Sequence, residues 1–306
     1  MTAMVSGNSR TIGIDLGGTG ISFIDMYSPD NVIQRMHIET PSTRGEIVSA
    51  LKTAALRFLE TPGHPAPSGI GVAVAGQVGH AGKSVVFSPN LPFKTEYALG
   101  MELEKEFGIP VSLENDANAA AFGERVFGMA KGMDDFIVIT LGTGIGAGIF
   151  ANGKLVCGHT GSGGEAGHMV ILPEGPLCGC GNKGCLEALA SGTAIARSFR
   201  EKTGIEKSAK EVCGLARDGD AAARAVLRAA GDYLGYGLVN LVNLFGPQAV
   251  FFTGSLSNAP DDYFVPALRR VRERSFGTAG KDVVLKVSPL ASEVGVIGAA
   301  ALPLLR

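Results

Sequence analysis

The chain has 306 residues, 45% of them hydrophobic and 18% charged, with a formal net charge of −2. That length fits about two domains with a sizeable apolar core, and the near-neutral balance disfavours nucleic acid and anionic membrane as partners of the whole protein. The longest apolar stretches, 136–151 and 238–252, are broken by glycines or by Asn240, Asn243, Pro247 and Gln248, so neither is expected to span a bilayer.

Residues 1–10 have no apolar centre and no cleavage signature, so no signal peptide is expected. Thr11–Asp15, Ile21–Met26 and Val32–Ile38 read as three successive strands joined by short turns. Glu46–Leu59 has helical spacing, and the proline-rich 61–68 reads as a connection. Ile70–Ala75 is a strand, Leu99–Phe107 a helix, Val111–Glu114 a buried strand, and the alanine-rich run from Ala117 a helix. Phe136–Leu141 and Ile145–Phe150 are strands around a Gly-Thr-Gly turn, and Asn152-Gly153 turns into another short strand. Residues 173–184 are irregular. Helices are expected over 194–201, 209–217 and 221–245, a strand over 249–252, a helix over 263–273, a strand over 283–287 and a closing helix over 294–304. Mixed hairpins and crossovers make the class α/β. Two stretches, 12–24 and 137–150, share the order strand, glycine turn, strand, which is compatible with duplicated nucleotide-binding halves.

Four motifs carry chemistry. Asp15-Leu-Gly-Gly-Thr19 sits between two strands. Its glycines let backbone N–H groups approach phosphate oxygens, and Asp15 would stand near those phosphates, able to hold magnesium directly or through water. The bland reading is a hairpin turn with a well-placed acid. Thr140-Leu-Gly-Thr-Gly-Ile-Gly146 repeats the design and is no dinucleotide fingerprint, because a strand rather than a helix follows. Gly76–Ser84 imitates a Walker A loop, but Gln77 stands where its first glycine belongs and a strand-like Val85-Val86-Phe87 follows, so a P-loop is rejected. Glu114-Asn-Asp-Ala-Asn118 joins a strand to a helix. Asn115 or Asp116 can cap that helix, yet a carboxylate at a strand end is also where a general base belongs, and the helix dipole keeps Asp116 ionised.

The fourth motif is Glu165-Ala-Gly-His168 followed by Cys178, Cys180, Cys185 and Leu186-Glu187. Three thiolates and an imidazole make a closed set of the kind that holds structural zinc, and the intervening glycines permit a tight knuckle. With all four positions filled by protein, such a zinc would not activate water. Five cysteines, three of them crowded here, fit a cytoplasmic protein with one metal site better than a secreted disulfide scaffold. Cys157 and Cys213 are expected to be buried small hydrophobes. For His37, His64, His80 and His159 the sequence identifies no partner.

Together with Ser88-Pro-Asn-Leu91, these motifs resemble the ROK family of sugar kinases and sugar-responsive repressors, in order and from Gly13 to about Ala300. Within it the chain looks most like the glucokinases. The resemblance implies an actin-like (ribonuclease H-like) two-domain ATPase fold with ATP and sugar in an interdomain cleft. The expected division is 1–115 plus 291–306 as a smaller α/β domain and 116–290 as a larger one with the zinc site. It implies Asp116 as the general base for the sugar 6-hydroxyl, and Asn90, Asn115, Glu165, His168 and Glu187 as ligands of the sugar hydroxyls. The nucleotide would meet Asp15, Gly17, Gly18, Thr19, Gly142, Thr143, Gly144 and Gly254. His168 would bind zinc, with Cys178, Cys180 and Cys185, through one ring nitrogen and face the sugar with the other. ATP, Mg²⁺ and structural Zn²⁺ are the implied cofactors, and a cytoplasmic homodimer or homotetramer is the implied setting.

The chain departs from the family pattern at two places. The residue after Thr19, often Lys or Asn, is Gly20, and the adenine-side segment reads Phe252-Thr253-Gly254-Ser255 where paired glycines are common. Against a hexose kinase acting on glucose stand an N-acetylglucosamine or N-acetylmannosamine kinase, and a non-catalytic sugar-sensing regulator. A repressor of this family would carry a helix-turn-helix domain ahead of the first strand, for which the residues before Thr11 leave no room.

Overall fold

The computed structural model describes residues 9–79, 81–290 and 293–305. His80, most of the N-terminal decapeptide and the expected boundary at 290/291 lie outside the described residues. The chain divides into two units: Met1–Gly132 with Leu155–Gly163 and Glu293–Arg306, and Met133–Lys154 with Gly164–Ser292.

The first unit holds strands β1 (Thr11–Leu16), β2 (Gly20–Ser28), β3 (Asn31–Glu39), β4 (Ile70–Val74), β5 (Gln77–Val78), β6 (Val85–Phe87) and β7 (Val111–Asn115), with helices α1 (Arg44–Leu59), α2 (Leu99–Phe107) and α3 (Asp116–Val126). Its main sheet has the order β3-β2-β1-β4-β7. The hairpin strands β1 to β3 run antiparallel, while β1, β4 and β7 are parallel. Thr43 starts α1 through a capping box with Glu46. Gly108, at φ +67°, ends α2. One face of the sheet packs Ile12, Ile14, Phe23, Val72 and Leu113 against Ile47, Leu51, Phe58 and Leu103 of the helices.

The second unit repeats the plan. Its strands are β8 (Phe136–Leu141), β9 (Ile145–Ala151), β10 (Lys154–Leu155), β11 (Ala249–Thr253) and β12 (Val284–Val287), in the order β10-β9-β8-β11-β12. Again a hairpin, β8 with β9, adjoins parallel strands. The helices are α4 (Leu186–Ala190), α5 (Gly192–Thr203), α6 (Ala209–Arg217), α7 (Ala221–Phe245), α8 (Asp261–Arg274) and α9 (Ala279–Asp282). The weak internal likeness in the sequence is therefore a likeness of two sheets.

The chain then returns to the first unit as α10 (Val294–Ala301), short of the expected 294–304 because a 3₁₀ turn takes over at Leu302–Leu305. This helix lies on the second face of the first sheet. A side chain at Gly13 would collide with the carbonyl of Val296, and one at Gly298 with the carbonyl of Ala119. Small residues thus let α10 and α3 approach backbone to backbone, which brings the N-terminal turns of both helices to the ends of the parallel strands.

The Walker-like segment is not a phosphate loop. It forms the β5–β6 hairpin, no helix follows it, and Lys83 is engaged by Glu104 at 2.7 Å and by the carbonyl of Val111 at 2.7 Å. Cys213 is buried as expected, whereas Cys157 is only half-buried, because it lies in an irregular segment after β10. No described helix is long and apolar enough to cross a membrane.

Candidate active site and metal cluster

In the first unit the predicted residues gather where β1, β4 and β7 end, the edge at which open α/β sheets present their chemistry. Asp15 is the penultimate residue of β1 and Asp116 the first of α3. Asn115, not Asp116, is the cap of α3: its side chain accepts from Ala117 N at 3.0 Å and Asn118 N at 3.2 Å. Its Nδ2 donates to the carbonyl of Gly76 at 3.1 Å. That leaves Asp116 in the first turn, where the helix dipole favours the ionised form. Asp15 lies against the first turn of α10, for a Cβ at Gly295 would sit 2.6 Å from its Oδ2. Burial, with Asp116 beside it, raises the Asp15 carboxyl from its ordinary 3.8 to about 7. Burial also raises Glu114, against the opposing hydrogen bonds from Asn118 and the Asn115 amide.

The turn after β1 is fixed from behind. Thr40 N donates to the carbonyl of Thr19 at 3.2 Å, and Thr40 Oγ1 donates to the carbonyl of Gly17 at 2.7 Å. Among the described residues, no hydrogen bond from the Gly18 or Thr19 amide is made within the chain, so both N–H groups remain available to an anion. Asn90 is exposed on a loop that Ser88 anchors, and a Cβ at Gly18 would lie 3.1 Å from Asn90 Cβ.

In the second unit the Gly142–Gly144 turn is held by the start of α5. Gly192 N donates to the carbonyl of Gly142 at 2.8 Å, and Thr193 Oγ1 donates to that of Thr143 at 2.9 Å. Gly254 follows β11 at φ +87°, a conformation that favours glycine, and a Cβ there would meet the Leu141 carbonyl at 2.5 Å. Glu165 is exposed, one residue before the short turn Ala166–His168. Glu187 is pinned more tightly than a free substrate ligand. Its Oε2 accepts from Ile145 N at 3.0 Å, and its Oε1 lies 3.8 Å from Cys178 Sγ. A side chain at Gly144 would push the Glu187 carboxylate off its bond to Ile145 N.

One ligand atom from each of His168, Cys178, Cys180 and Cys185 comes within 4.8 Å of the others. Zinc bonds of about 2.3 Å to sulfur and 2.0 Å to nitrogen, on a tetrahedron, set edges of roughly 3.8 Å between sulfurs and 3.5 Å between sulfur and nitrogen. Cys180 Sγ and Cys185 Sγ are 3.7 Å apart, and Cys178 Sγ and His168 Nδ1 are 3.7 Å apart. The donor set and its spacing fit zinc. Burial, with the neighbouring thiols Cys180 and Cys178, pushes the Cys185 thiol up to about 12, a cost that a coordinated cation reverses by holding the thiolate.

The sequence did not show the Thr40 latch, nor a partner for His37, whose Nδ1 lies 3.0 Å from Ser22 Oγ. Both depend on the pairing of β2 with β3, which the alternation of those strands allows but does not fix.

Comparison with known proteins places the whole chain among sugar kinases and sugar-responsive repressors. Residues 11–305 match the model of the ROK family. The chain is 35% identical to a glucokinase of Thermotoga maritima, covering 96% of each. It is 33% identical to the xylose repressor of Bacillus subtilis, over 94% of this chain and 75% of that one. Among solved structures, a ROK family glucokinase from Streptomyces griseus in complex with glucose and AMPPNP superposes with a TM-score of 0.82 at 34% identity, covering 96% of this chain and 99% of that one.

Proposed function

The chain belongs to the ROK family, and from that membership we propose that it transfers the γ-phosphoryl group of ATP to the 6-hydroxyl of a hexose, glucose before others. Its fold is the actin-like two-domain α/β fold of the ROK sugar kinases, and its similarity to glucokinases makes it an ATP-dependent sugar kinase. The observation that carries the reading is the placement of Asp15 at the end of β1 beside Asp116 at the start of α3, at the sheet end where the Gly18 and Thr19 amides are open to an anion.

The roles follow from that placement. Asp116, ionised at the start of α3, accepts the hydroxyl proton as the sugar oxygen bonds to the γ-phosphorus and the bond to ADP breaks. Asp15 would hold a magnesium ion on the phosphates, directly or through water, and that ion's charge would favour its ionised form. The Gly18 and Thr19 amides cradle phosphate oxygens, with Gly17 giving the turn its approach. Gly142, Thr143, Gly144 and Gly254 form the nucleotide side of the second unit. Asn90, Asn115, Glu165, His168 and Glu187 bond the sugar hydroxyls, and a site that matches each hydroxyl rejects epimers strongly. His168 presents Nδ1 to the thiols, which leaves Nε2 for the sugar. Zinc, when bound, supplies rigidity rather than a reactive water, because all four positions are protein ligands. Through Cys178 it would also fix the neighbourhood of Glu187.

ADP release with Mg-ATP, measured across glucose, mannose, allose, N-acetylglucosamine and N-acetylmannosamine, tests the reading. Glucose is expected to turn over fastest. A faster N-acetylhexosamine would replace the substrate while keeping the reaction. No turnover on any sugar, with zinc bound, would replace the kinase by a sugar sensor, the second reading that the similarity to a repressor favours.

A further inference from the structure

A side chain is missing at the phosphate turn, and another residue occupies its place. Gly20 opens β2 directly after the Asp15–Thr19 turn. Its φ is not in the left-handed region, so the backbone does not demand glycine. A side chain there would instead have to displace a ring: a Cβ at Gly20 would lie 2.5 Å from His37 Cε1 and 2.8 Å from His37 Nε2. The ring of His37 therefore covers the spot from which a lysine or asparagine after Thr19 would reach out.

Sheet register puts it there. His37 on β3 pairs with Ser22 on β2, and Ser22 pairs with Asp15 on β1. Cross-strand partners share a face, so His37, Ser22 and Asp15 form one row. Gly20 shares that face, two residues before Ser22. Ser22 Oγ, 3.0 Å from His37 Nδ1, orients the ring so that its Cε1–Nε2 edge lies on Gly20. When the hydroxyl donates to Nδ1, the neutral ring carries its hydrogen on Nε2. When the ring is cationic, both nitrogens carry one. An anion at the turn favours these two arrangements over the remaining tautomer. The charged groups near the ring are Asp15 beyond Ser22, Glu39 opposite Gly20, and Arg35, which Glu293 already engages at 2.9 Å. Among the described residues Nε2 has no hydrogen-bond partner.

We propose that His37, oriented by Ser22 and admitted by Gly20, donates its Nε2 hydrogen to a phosphate oxygen of the bound nucleotide, replacing the side chain that Gly20 lacks. The proposal rests on the kinase reading for the identity of the anion. It adds to that reading a third strand, β3, and a residue outside the glycine turn. His37 is exposed on an edge strand, so its replacement leaves the core untouched.

The test is Mg-AMPPNP binding by titration calorimetry on the full chain, without sugar, beside steady-state kinetics on glucose. His37→Ala should weaken nucleotide binding about five- to tenfold, as loss of a solvent-facing hydrogen bond to a charged acceptor does, and leave the KM for sugar within twofold. His37→Gln, which keeps an N–H donor, should recover most of the loss. Gly20→Lys should weaken binding alone, by displacing the ring, and restore it in the His37→Ala background, where the space is vacant. Nucleotide affinity of His37→Ala within twofold of wild type overturns the proposal, as does an equal rise in the sugar KM. The kinase reading fails separately: wild-type protein that binds Mg-AMPPNP but phosphorylates no sugar refutes it and leaves the binding comparison to decide on His37. Wild-type protein that binds no nucleotide overturns both.

Discussion

Replacing Asp15 by asparagine removes an acid that the fold holds at a disadvantage. Burial, with Asp116 beside it, raises this carboxyl from 3.8 to about 7. Between those two values the unfolded chain has released the proton and the folded chain retains it, so the stability of the ligand-free protein falls as pH rises from about 4 to 7 and levels off above. A shift of about three units at 1.36 kcal/mol each gives an upper bound of about 4 kcal/mol. Even half of that is ~2 kcal/mol, or roughly 4–8 °C in melting temperature for a unit of this size. The neutral Asp15→Asn side chain has no such penalty. The variant should melt several degrees above wild type at pH 8 and close to it at pH 4.5, while losing phosphorylation of sugar. Thermal melts of both proteins at the two pH values, without nucleotide, read the difference directly. An equal melting difference at both pH values would refute the argument, because the effect would then be one of shape and not of charge.

Two further outcomes follow from the same structure. Purified protein should carry one zinc per chain by elemental analysis, and Cys180→Ser, which changes an exposed ligand, should lose the metal and raise the KM for sugar more than that for ATP; a metal-free wild type would remove zinc from the account. Asp25 accepts from Arg10 Nε and Nη2, each at 2.8 Å, and both residues are buried. Asp25→Ala should therefore cost about 3–5 kcal/mol in denaturant unfolding of the first unit, since it strands a buried guanidinium; a cost below 1 kcal/mol would show that the Pro65 and Phe58 carbonyls suffice to hold Arg10.

What was legible in the sequence was whatever a short window determines. The glycine turns and the long α7 declare themselves within a short run of chain, whereas the capping box that starts α1 at Arg44 was not read there. The Cys/His cluster was legible because its ligands are of a rare type and three of them are close in sequence. The five-residue α4 was not: it has barely more than one turn, and its cap residue Cys185 makes no capping hydrogen bond. The likeness of the two halves was faint in the sequence, because it resides in strand order rather than in residue identity. Glu187 shows the same limit at the site itself. Its type fits a sugar ligand, but its bond to Ile145 N spans β9 and α4 and could not be seen in either. His37 had no partner until register placed Ser22 across from it.

The central claim is that Asp116 removes the proton while other residues hold the sugar. Its most direct measurement is the turnover of Asp116→Asn against glucose with Mg-ATP, made beside glucose binding by calorimetry. Removal of a general base predicts a fall in kcat of about 10²–10⁴-fold with glucose affinity within a few fold of wild type. Turnover near that of wild type, or loss of glucose binding together with turnover, would contradict the account.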